Sequence, residues 1–557
     1  MLINKRYMNL PVRSGATKHI LTFSTNGRKV REFEIELAAD QPEFWVVSDV
    51  SQYRGQELKV TSPTLPPELL ARLEQVDEIK GAEDLYAEKY RPRFHFSPKR
   101  GYLQDANGLV YHQGEYHLFY QHNPYGTSWA NMHWGHATST DLLHWEELGE
   151  ALEPDELGPI FSGSAVVDWD NTSGFQSGSE PPLVCIYTSA GGYSAWAKDK
   201  LHCQSIAYSN DRGRSWTKYD GNPVIDHIVH ENRDPKVFWH KPTRQWVMVL
   251  YLDKNDFGFF VSPDLKQWER TDTIQMPGTF ECPDLFELPV DGNHEQTRWV
   301  LWGNGGNYLL GDFDGVRFVP DGGVQAFWTA FIPNSDPKAF WLAGRSLAAQ
   351  TWNDIPPEDG RRIQTSFMPA KLPGMAFASV MTFPTELTLR TTAEGTRLFG
   401  WPVMEIAQLH EWKREWHDLI LRPGENPLQD VSGEAFDITA EFEVAPLEPS
   451  VSRPEFGFVI GEEAITYDPT SQNLGCQDKR LPLPPENNAI RLRILVDHGV
   501  LEIFGNDGAR CMVISRAPSN PDHTLAVFSR DQPVRLPYLE VCTVKTFWPA
   551  NGNERDN

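Results

Sequence analysis

Three acidic residues stand in settings where carboxylates can do chemistry. Asp105 lies in GYLQDANG, Asp234 in ENRDPKVFW and Glu281 in GTFECPDLFEL, each in a turn-like sequence beside an apolar or aromatic strand candidate. A pair of carboxyl groups can cleave a glycosidic bond, because one attacks the sugar or activates water while the other protonates the departing oxygen. A lone acidic residue is more often a turn or surface residue, so this interpretation depends on a fold that brings the three together.

The elements that must position these residues are short strands. Apolar runs such as EYHLFYQ, PLVCIYT and QWVMVLYL are bounded by Gly, Pro, Asn and Asp, which is typical of a propeller, barrel or sandwich. A loose repeat favours the propeller: TSTDLLHW, SNDRGRSW and SPDLKQW each contain Ser, then Asp, then Trp. The Asp can close a turn while the Trp caps the following strand. The first strands of propeller blades line a central funnel, where carboxylates distant in sequence can converge.

The pattern changes on either side of this region. Residues 1–85 contain strand-like runs and PPELLARLEQVDEIKG, which predicts a linker helix over 66–81. Pro and Gly accumulate over 355–375, and alternating runs beyond them, such as IRLRILVDHGVLEIF, predict a two-sheet sandwich. We therefore expect an all-β chain with an accessory segment at 1–85, a propeller at 86–365, and a linker and sandwich at 366–557.

Composition excludes several classes of partner. The chain has 557 residues and a formal net charge of −25, which argues against DNA, RNA and anionic membranes, because phosphate binding depends on clustered Lys and Arg. No run reaches the roughly 18 apolar residues of a transmembrane helix. The six cysteines are too few for a disulfide scaffold, and none forms a Cys-x-x-Cys pair. The start of the chain has no apolar signal region, so we expect a cytoplasmic protein, or a secreted one whose signal has been removed.

Longer stretches of the sequence resemble one enzyme family. The segment from RPRFHFSPKRGYLQDANG to HATSTDLLHWEEL closely resembles the opening of glycoside hydrolase family 32, the β-fructosidases. FSGSAVVD at 161–168, RDP at 233–235 and ECPD at 281–284 match further motifs of that family in the same order, and 490–508 resembles its C-terminal sandwich. The resemblance covers roughly residues 88–545, and several ordered motifs carry more weight than any one of them.

The resemblance implies a five-bladed β-propeller followed by a β-sandwich. It also implies retaining hydrolysis of β-fructofuranosyl linkages in sucrose or fructans such as inulin and levan. In that scheme Asp105 is the nucleophile, Glu281 the general acid/base and Asp234 the transition-state stabiliser. No metal or organic cofactor is required, and the oligomeric state cannot be inferred from the sequence.

The same resemblance identifies residues around the carboxylates. Arg233 is expected to keep them ionised and to bind sugar oxygens. Cys282 is expected to be a poorly hydrated neighbour that raises the pKa of Glu281. The remaining substrate-binding candidates match positions that contact fructose: Gln104, Gln121, Trp129, Phe161 and Ser162.

The nucleophile motif departs from the family pattern. The family usually has WMNDPNG or WLNDPNG, whereas this chain has YLQDANG, with Tyr102, Gln104 and Ala106 at the changed positions. Leu347 stands where a related segment commonly has Tyr. Three alternatives to a β-fructofuranosidase stay open: a fructosyltransferase using the same covalent intermediate, a catalytically weak fructan-binding protein and, less favoured, a related arabinan or xylan hydrolase.

Two other motifs have simpler interpretations. His133, His136 and His144 have the spacing of a metal-site fragment, but they lie in a segment that resembles the family's NMHWGHA, where the histidines are structural. GNGGN at 303–307 is rich in Gly but lacks the Lys-Ser/Thr of a phosphate-binding loop. We therefore expect neither a metal site nor a nucleotide site.

Overall fold

The computed structural model describes residues 1–83, 85–333, 344–444, 454–517, 520 and 523–548. The described helical elements are short, and they are Ser51–Tyr53, Pro67–Leu70, Asn304–Gly306 and Met404–Leu409. The other regular elements of the described residues are β-strands, so the predicted all-β class is confirmed there. No helix in this part of the chain is both long enough and apolar enough to cross a membrane.

The N-terminal unit, residues 1–80, contains six strands: β1 (Tyr7–Val12), β2 (Lys18–Thr25), β3 (Arg28–Glu36), β4 (Phe44–Asp49), β5 (Lys59–Thr61) and β6 (Glu74–Val76). They form two sheets, ordered β4-β1-β6 and β3-β2-β5. Side chains of β2 alternate between buried and more exposed positions, so one face covers a core that contains Leu21 and Phe23.

The predicted linker helix over 66–81 is wrong beyond its first turn. The helix ends at Leu70, and β6 pairs with β1 instead of continuing it. Helices shorter than about 12–15 residues are marginal in water without tertiary packing. Pairing with β1 satisfies backbone hydrogen bonds of β6. A helix in contact with solvent would give this segment no additional stability.

Four antiparallel sheets follow, each with its main strands paired in sequence order. The first two contain β7 (Gly101–His112), β8 (Glu115–Asn123), β9 (His133–Ser139) and β10 (Glu146–Leu152), then β11 (Ile160–Val167), β12 (Leu183–Ser189), β13 (Cys203–Ser209) and β14 (Thr217–Lys218). The next two contain β15 (Arg233–His240), β16 (Gln245–Asp253), β17 (Asp256–Ser262) and β18 (Glu269–Gln275), then β19 (Asp284–Val290), β20 (Asn293–Gly303), β21 (Asn307–Phe313), β22 (Phe318–Pro320) and β23 (Gln325–Ala326). Strands β9 and β12 are buried along their whole length because both of their faces are covered.

The Ser–Asp–Trp repeat marks equivalent turns between the third and fourth strands of the first three sheets. Asp141 accepts hydrogen bonds from two backbone N–H groups of its turn, at 3.0 and 2.9 Å. The indole N–H groups of Trp145, Trp216 and Trp268 each donate to the carbonyl oxygen three residues earlier, at 3.1, 3.0 and 2.9 Å. The repeat therefore reflects one turn geometry used three times.

A further group of strands connects the fourth sheet back to the first: β24 (Leu347–Thr351), β25 (Arg362–Met368), β26 (Phe377–Ala378), β27 (Val380–Met381), β28 (Thr385–Thr392) and β29 (Gly395–Pro402). One parallel pairing, Val290 with Leu389, joins β19 to β28. Strand β26 pairs in parallel with β7. These links return the chain to its first sheet, an arrangement consistent with a β-propeller.

The described residues of the C-terminal region form twelve strands: β30 (His410–Leu421), β31 (Ser432–Gly433), β32 (Phe436–Glu443), β33 (Phe456–Ile460), β34 (Glu463–Asp468), β35 (Asn473–Cys476), β36 (Lys479–Pro482), β37 (Ala489–Asp497), β38 (Val500–Gly505), β39 (Arg510–Ser515), β40 (His523–Ser529) and β41 (Val534–Val544). They form two six-stranded sheets, ordered β30-β41-β32-β37-β38-β39 and β31-β40-β33-β34-β35-β36. Both sheets contribute to one apolar core, for example through Ile438 and Phe458, as expected of a β-sandwich.

Candidate active site

A pocket of about 200 Å³ lies where the first strands of the four sheets begin. Strands β7, β11 and β15 contribute residues near their starts, and the segment before β19 contributes another. The lining combines carboxylates with one arginine and with polar and aromatic groups: Gln104, Asp105, Gln121, Trp129, Phe161, Ser162, Tyr193, Glu231, Arg233, Asp234 and Glu281. The structure therefore brings together nine of the ten residues that the sequence predicted, and the exception is Cys282.

Irregular backbone at the start of each sheet turns these side chains into the pocket. The register against the next strand shifts at Asp105 in β7, at Phe161 and Ser162 in β11, and at Asp234 in β15. Asp234 has a φ of 65° and Glu281 a φ of 44°, both in the left-handed region. A β-bulge removes a residue from the ladder and re-aims its side chain. The predicted turn settings of Asp105 and Asp234 are thus wrong, since both lie in strands, where bulges direct their side chains into the pocket.

Asp105 is held by a hydroxyl group. Ser162 Oγ donates a hydrogen bond to Asp105 Oδ2 at 2.7 Å, and Gln121 Nε2 lies 3.4 Å from the same hydroxyl oxygen. Removal from solvent and then the negative charges of Glu281 and Asp234 raise the pKa of Asp105 to about 7, against the lowering effect of Ser162. Asp105 thus changes its charge near neutral pH.

Asp234 is oriented from behind by the residue that follows Glu281. The backbone N–H of Cys282 donates to Asp234 Oδ2 at 3.0 Å, and the Cys282 thiol lies 3.6 Å from the same oxygen. The backbone N–H of Asp234 itself donates to Thr188 Oγ1 at 3.0 Å. Burial raises the pKa of Asp234 to about 6, with Arg233 opposing that rise and Glu281 adding to it. Cys282 is buried and contacts the carboxylates from beneath the pocket.

Arg233 supplies the positive charge of the pocket. Its Nη2 donates to Glu281 Oε2 at 2.8 Å, its Nε lies 3.6 Å from Asp234 Oδ2, and its Nη1 donates to the carbonyl oxygen of Glu231 at 2.8 Å. The guanidinium lies 4.8 Å from the centre of the Tyr251 ring. Two carboxylates thus share one fixed cation, whose planar group holds them at defined angles.

The second oxygen of Glu281 is fixed by the Gly-rich turn at 304–306. Asn304 Nδ2 donates to Glu281 Oε1 at 2.7 Å, and Asn304 Oδ1 accepts from the backbone N–H of Ala348 at 2.9 Å. A Cβ at Gly306 would lie 2.1 Å from the Trp328 ring, so the turn needs glycine there. The sequence indicated only that GNGGN is not a phosphate-binding loop. In the structure, this segment positions Glu281.

Aromatic side chains form the rim. Trp129 and Tyr193 are 45% and 42% exposed, and their ring centres are 6.0 Å apart. The Phe161 ring lies 5.0 Å from Tyr193 and 6.1 Å from Trp129. Tyr193 also donates a hydrogen bond to Glu231 Oε1 at 2.9 Å. Exposed aromatic faces edged by polar groups suit the apolar face and the hydroxyls of a sugar ring.

Three residues of this site were missed by sequence reasoning: Tyr193, Glu231 and Asn304. Glu231 lies two residues before Arg233, so its closeness to the RDP motif could have identified it as a site residue. Tyr193 follows two glycines in a loop after β12, a setting that does not distinguish a pocket residue from a surface one. Leu347, the other changed position, is buried in the hydrophobic core and does not line the pocket.

The histidines of the suspected metal fragment have protein partners. His136 Nε2 lies 3.0 Å from His117 Nδ1, His144 Nδ1 lies 2.8 Å from Asp141 Oδ2, and His133 Nδ1 contacts the carbonyl oxygen of Asn131. Among the described residues, no cluster of His, Cys, Asp and Glu has the geometry to hold a metal ion.

The pocket itself offers a buried acid, a second carboxyl group with both oxygens hydrogen-bonded, and a cation between carboxylates, which is a set suited to acid/base and nucleophilic chemistry.

Comparisons with known proteins agree with this chemistry. The model of the glycosyl hydrolases family 32 N-terminal domain matches residues 95–402, and that of the family 32 C-terminal domain matches residues 405–544. A levanase of Bacillus subtilis (strain 168) is 40% identical over 508 residues, which cover 83% of this chain and 72% of the relative. An extracellular exo-inulinase of Aspergillus niger is 32% identical over 499 residues, which cover 78% of this chain and 91% of that protein.

Solved structures lead to the same family. The crystal structure of exo-inulinase from Aspergillus awamori has a TM-score of 0.70 and 28% identity, and covers 83% of this chain and 100% of its own. A β-fructofuranosidase from Schwanniomyces occidentalis complexed with fructosyl-erythritol has a TM-score of 0.70 and 26% identity, and covers 84% of this chain and 100% of its own. Two matched domain models, relatives aligned over most of their length and a pocket of convergent carboxylates place the chain in glycosyl hydrolase family 32.

Proposed function

We propose that this chain hydrolyses β-fructofuranosyl linkages in sucrose or fructans by a double displacement. The observation that carries the proposal is one pocket, in a family 32 chain, that contains Asp105, Asp234 and Glu281, with one guanidinium paired to Asp234 and Glu281. The relatives include a levanase, an exo-inulinase and an invertase. A fructosyl unit is therefore the substrate group that fits both the relatives and the chemistry of the pocket.

In the first step, Asp105 attacks the anomeric carbon while Glu281 gives a proton to the glycosidic oxygen. The carbon–oxygen bond breaks, the leaving sugar departs with that proton, and the fructosyl unit is esterified to Asp105. In the second step, Glu281 removes a proton from water, and the water oxygen displaces Asp105. The configuration at the anomeric carbon is retained because it is inverted twice.

Electrostatics link the two catalytic groups. The charge of Glu281 is one of the causes that raise the pKa of Asp105. Protonation of Glu281 removes that repulsion and favours the ionised form of Asp105, which is the pair of states that the first step needs. Glu281 accepts a hydrogen bond from Arg233 at one oxygen and from Asn304 at the other, and each oxygen keeps a second lone pair that can carry the proton donated to the glycosidic oxygen.

The remaining residues bind the fructosyl group in this proposal. Asp234, whose Oδ2 is fixed by Cys282, accepts hydrogen bonds from sugar hydroxyls and stabilises the positive charge that develops on the ring. Arg233 holds Asp234 and Glu281 and donates to sugar oxygens. Further contacts come from the polar and aromatic lining: Gln104, Gln121, Trp129, Phe161 and Ser162.

We further propose a five-bladed propeller between the N-terminal unit and the sandwich. The four successive sheets supply four blades, and β24, β25, β28 and β29 supply the fifth, which is joined to the fourth by the parallel pairing of Val290 with Leu389. Because those strands belong to the propeller sheets, the boundary with the sandwich falls between Pro402 and His410 in this proposal, later than the 365/366 boundary expected from composition. The first boundary stays near residue 85.

Product analysis tests the function. Purified protein is incubated separately with sucrose, inulin and levan, and the released sugars are separated by chromatography, with Asp105→Asn as the inactive control. Free fructose from at least one substrate, absent in the control, is the expected result and identifies the linkage. Longer fructosylated products at high sucrose would instead establish transfer to a sugar acceptor. Detectable fructan binding without any product would reject the catalytic proposal.

A further inference from the structure

The N-terminal unit lies outside both matched family models, which cover residues 95–402 and 405–544. Its strand β3 nevertheless packs against two loops that carry the exposed aromatic residues of the pocket rim. The first, 124–132, follows β8 and contains Trp129. The second, 190–200, follows β12 and contains Tyr193. This placement gives the unit a direct structural connection to substrate binding.

Asn131 fastens the first loop to the backbone of β3. Its Oδ1 accepts from the backbone N–H of Glu34 at 2.8 Å, and its Nδ2 donates to the Glu34 carbonyl oxygen at 2.7 Å. The same Nδ2 lies 3.0 Å from Asn123 Oδ1, and Asn123 Nδ2 donates to the carbonyl oxygen of Ser128 at 2.8 Å. Because Ser128 directly precedes Trp129, a short chain of hydrogen bonds runs from β3 to the rim.

A buried anchor holds the two parts together beneath this contact. Arg31 of β3 is 2% exposed and forms an ion pair with Glu153, with Nε donating at 3.0 Å. The Phe33 ring stacks on Tyr125, with ring centres 3.8 Å apart, and Tyr125 belongs to the core of the N-terminal unit. Tyr125 lies in the same loop as Trp129, so the base of that loop is part of the N-terminal core.

Lys29 makes the contact with the second loop. Its ammonium lies 5.2 Å from the centre of the Trp196 ring. Trp196 and Tyr193 belong to one tight turn, closed by a hydrogen bond from the backbone N–H of Gly192 to the carbonyl oxygen of Ala197 at 2.8 Å. A cation–π contact of this kind contributes a modest free energy. The hydrogen-bonded turn nevertheless couples the position of Trp196 to that of Tyr193.

We propose that the N-terminal unit is a positioning element for substrate binding: through Asn131 and Lys29, β3 holds the loops of Trp129 and Tyr193 at the spacing that accepts a sugar ring. The inference rests on the proposed function, because it takes the rim as the binding surface for a fructosyl substrate. Its consequence is specific. Loss of these contacts weakens substrate binding without touching Asp105, Asp234 or Glu281.

The test compares Asn131→Ala, Lys29→Ala and the double variant with wild type. The matched control is Lys5→Ala, which removes an exposed ion pair to Asp77 elsewhere on the same unit. We expect KM for the hydrolysed substrate to rise about three- to tenfold in the double variant, with kcat within about twofold. Amide hydrogen exchange of 124–132 and 190–200 should accelerate, and the control should match wild type in every measurement.

Unchanged KM and unchanged exchange in a folded double variant would overturn the inference. A rise in KM that the Lys5→Ala control shares would also overturn it, because the effect would then be general. If Asn131→Ala fails to fold, Lys29→Ala, whose side chain is partly exposed, carries the test alone. Wild-type protein that releases no fructose would reject the proposed function, and the exchange measurement would still decide whether β3 holds the loops.

Discussion

Two clusters of carboxylates in this molecule contain similar groups but differ in how their negative charges are compensated. In the pocket, Asp234 and Glu281 share Arg233, and Asp105 faces both of these carboxylates. At the contact between the propeller region and the sandwich, His95 lies between Asp497 and Glu502, with Nδ1 2.8 Å from Asp497 and Nε2 2.7 Å from Glu502. The first cluster raises the pKa of two of its acids, whereas the second lowers the pKa of Asp497.

Hydrogen bonding accounts for the difference. Asp497 accepts from four backbone N–H groups at 2.7–3.0 Å besides the His95 ring, and Glu502 accepts from the backbone N–H of Phe383 at 2.6 Å. Asp105 has a strong hydrogen bond from one hydroxyl and faces two other carboxylates. A buried charge that is fully hydrogen-bonded stabilises the fold, whereas one left short of partners costs stability and stays reactive. The pocket cluster is therefore organised for catalysis, whereas the cluster of His95, Asp497 and Glu502 is organised to stabilise the fold.

The largest expected effect is loss of activity in Asp105→Asn. Fructose release should fall at least about 10⁴-fold, since the amide cannot form the covalent intermediate. The melting temperature at pH 8 should stay the same or rise, because a pKa raised to about 7 shows that folding disfavours the charged carboxylate. A melting temperature lowered by several degrees would contradict the comparison, because it would show that the charge of Asp105 stabilises the fold as the charges around His95 do.

His95→Gln tests the other cluster. The free energy of unfolding at pH 7 should fall by about 3–5 kcal/mol, because two buried carboxylates lose their cation. The matched control is His144→Gln, which removes a more exposed histidine–aspartate pair and should cost less than about 1 kcal/mol. Equilibrium urea unfolding measures both. Equal losses in the two variants would show that the His95 cluster is not a special source of stability.

Arg233→Lys sharpens the pocket side of the comparison. Lysine keeps the charge but cannot span Glu281 and Asp234 with one planar group, so kcat/KM should fall about 10- to 100-fold. Arg212→Lys, at an exposed pair with Glu180, is the control and should retain wild-type kcat/KM. Full activity in Arg233→Lys would mean that only the charge of this residue matters.

The smallest expected effect is the pH dependence of stability within two windows, at most about 1.4 kcal/mol per pH unit for a single group. Folding raises the pKa of Asp105 from 3.8 to about 7, so stability from its neutral form is complete below pH 3.8 and is lost as pH rises through about 7. His95 hydrogen bonds to Asp497 and Glu502 outweigh burial and raise its pKa from 6.5 to about 9, so that contribution is complete below pH 6.5 and is lost as pH rises through about 9.

Unfolding free energies measured from pH 4 to pH 10 separate the two windows. Asp105→Asn should shrink the lower window and leave the part that comes from the raised pKa of Asp234, whereas His95→Gln should affect the upper window only. Either variant altering both windows to the same extent would show that the two clusters do not titrate independently.

The sequence was informative where local patterns carry the physics. Short apolar runs between turn residues predicted an all-β chain, and the Ser–Asp–Trp repeat marked real turns at Trp145, Trp216 and Trp268. It was less informative at the helix over 66–81, where pairing with β1 replaced most of the helix. Asn304 escaped notice because its role depends on Glu281, a contact that no local pattern records.

The sequence by itself determined the family, the strand-rich character and three of the four pocket carboxylates, because side-chain chemistry and hydrophobic alternation are written residue by residue. Tertiary structure alone decided that bulges aim Asp105 and Asp234, that Cys282 lies beneath the pocket, and that β3 supports the rim aromatics. It also decided the charge balance of each cluster. The pKa of a carboxyl group depends on burial and on neighbours distant in sequence, and only the folded chain specifies which neighbours those are.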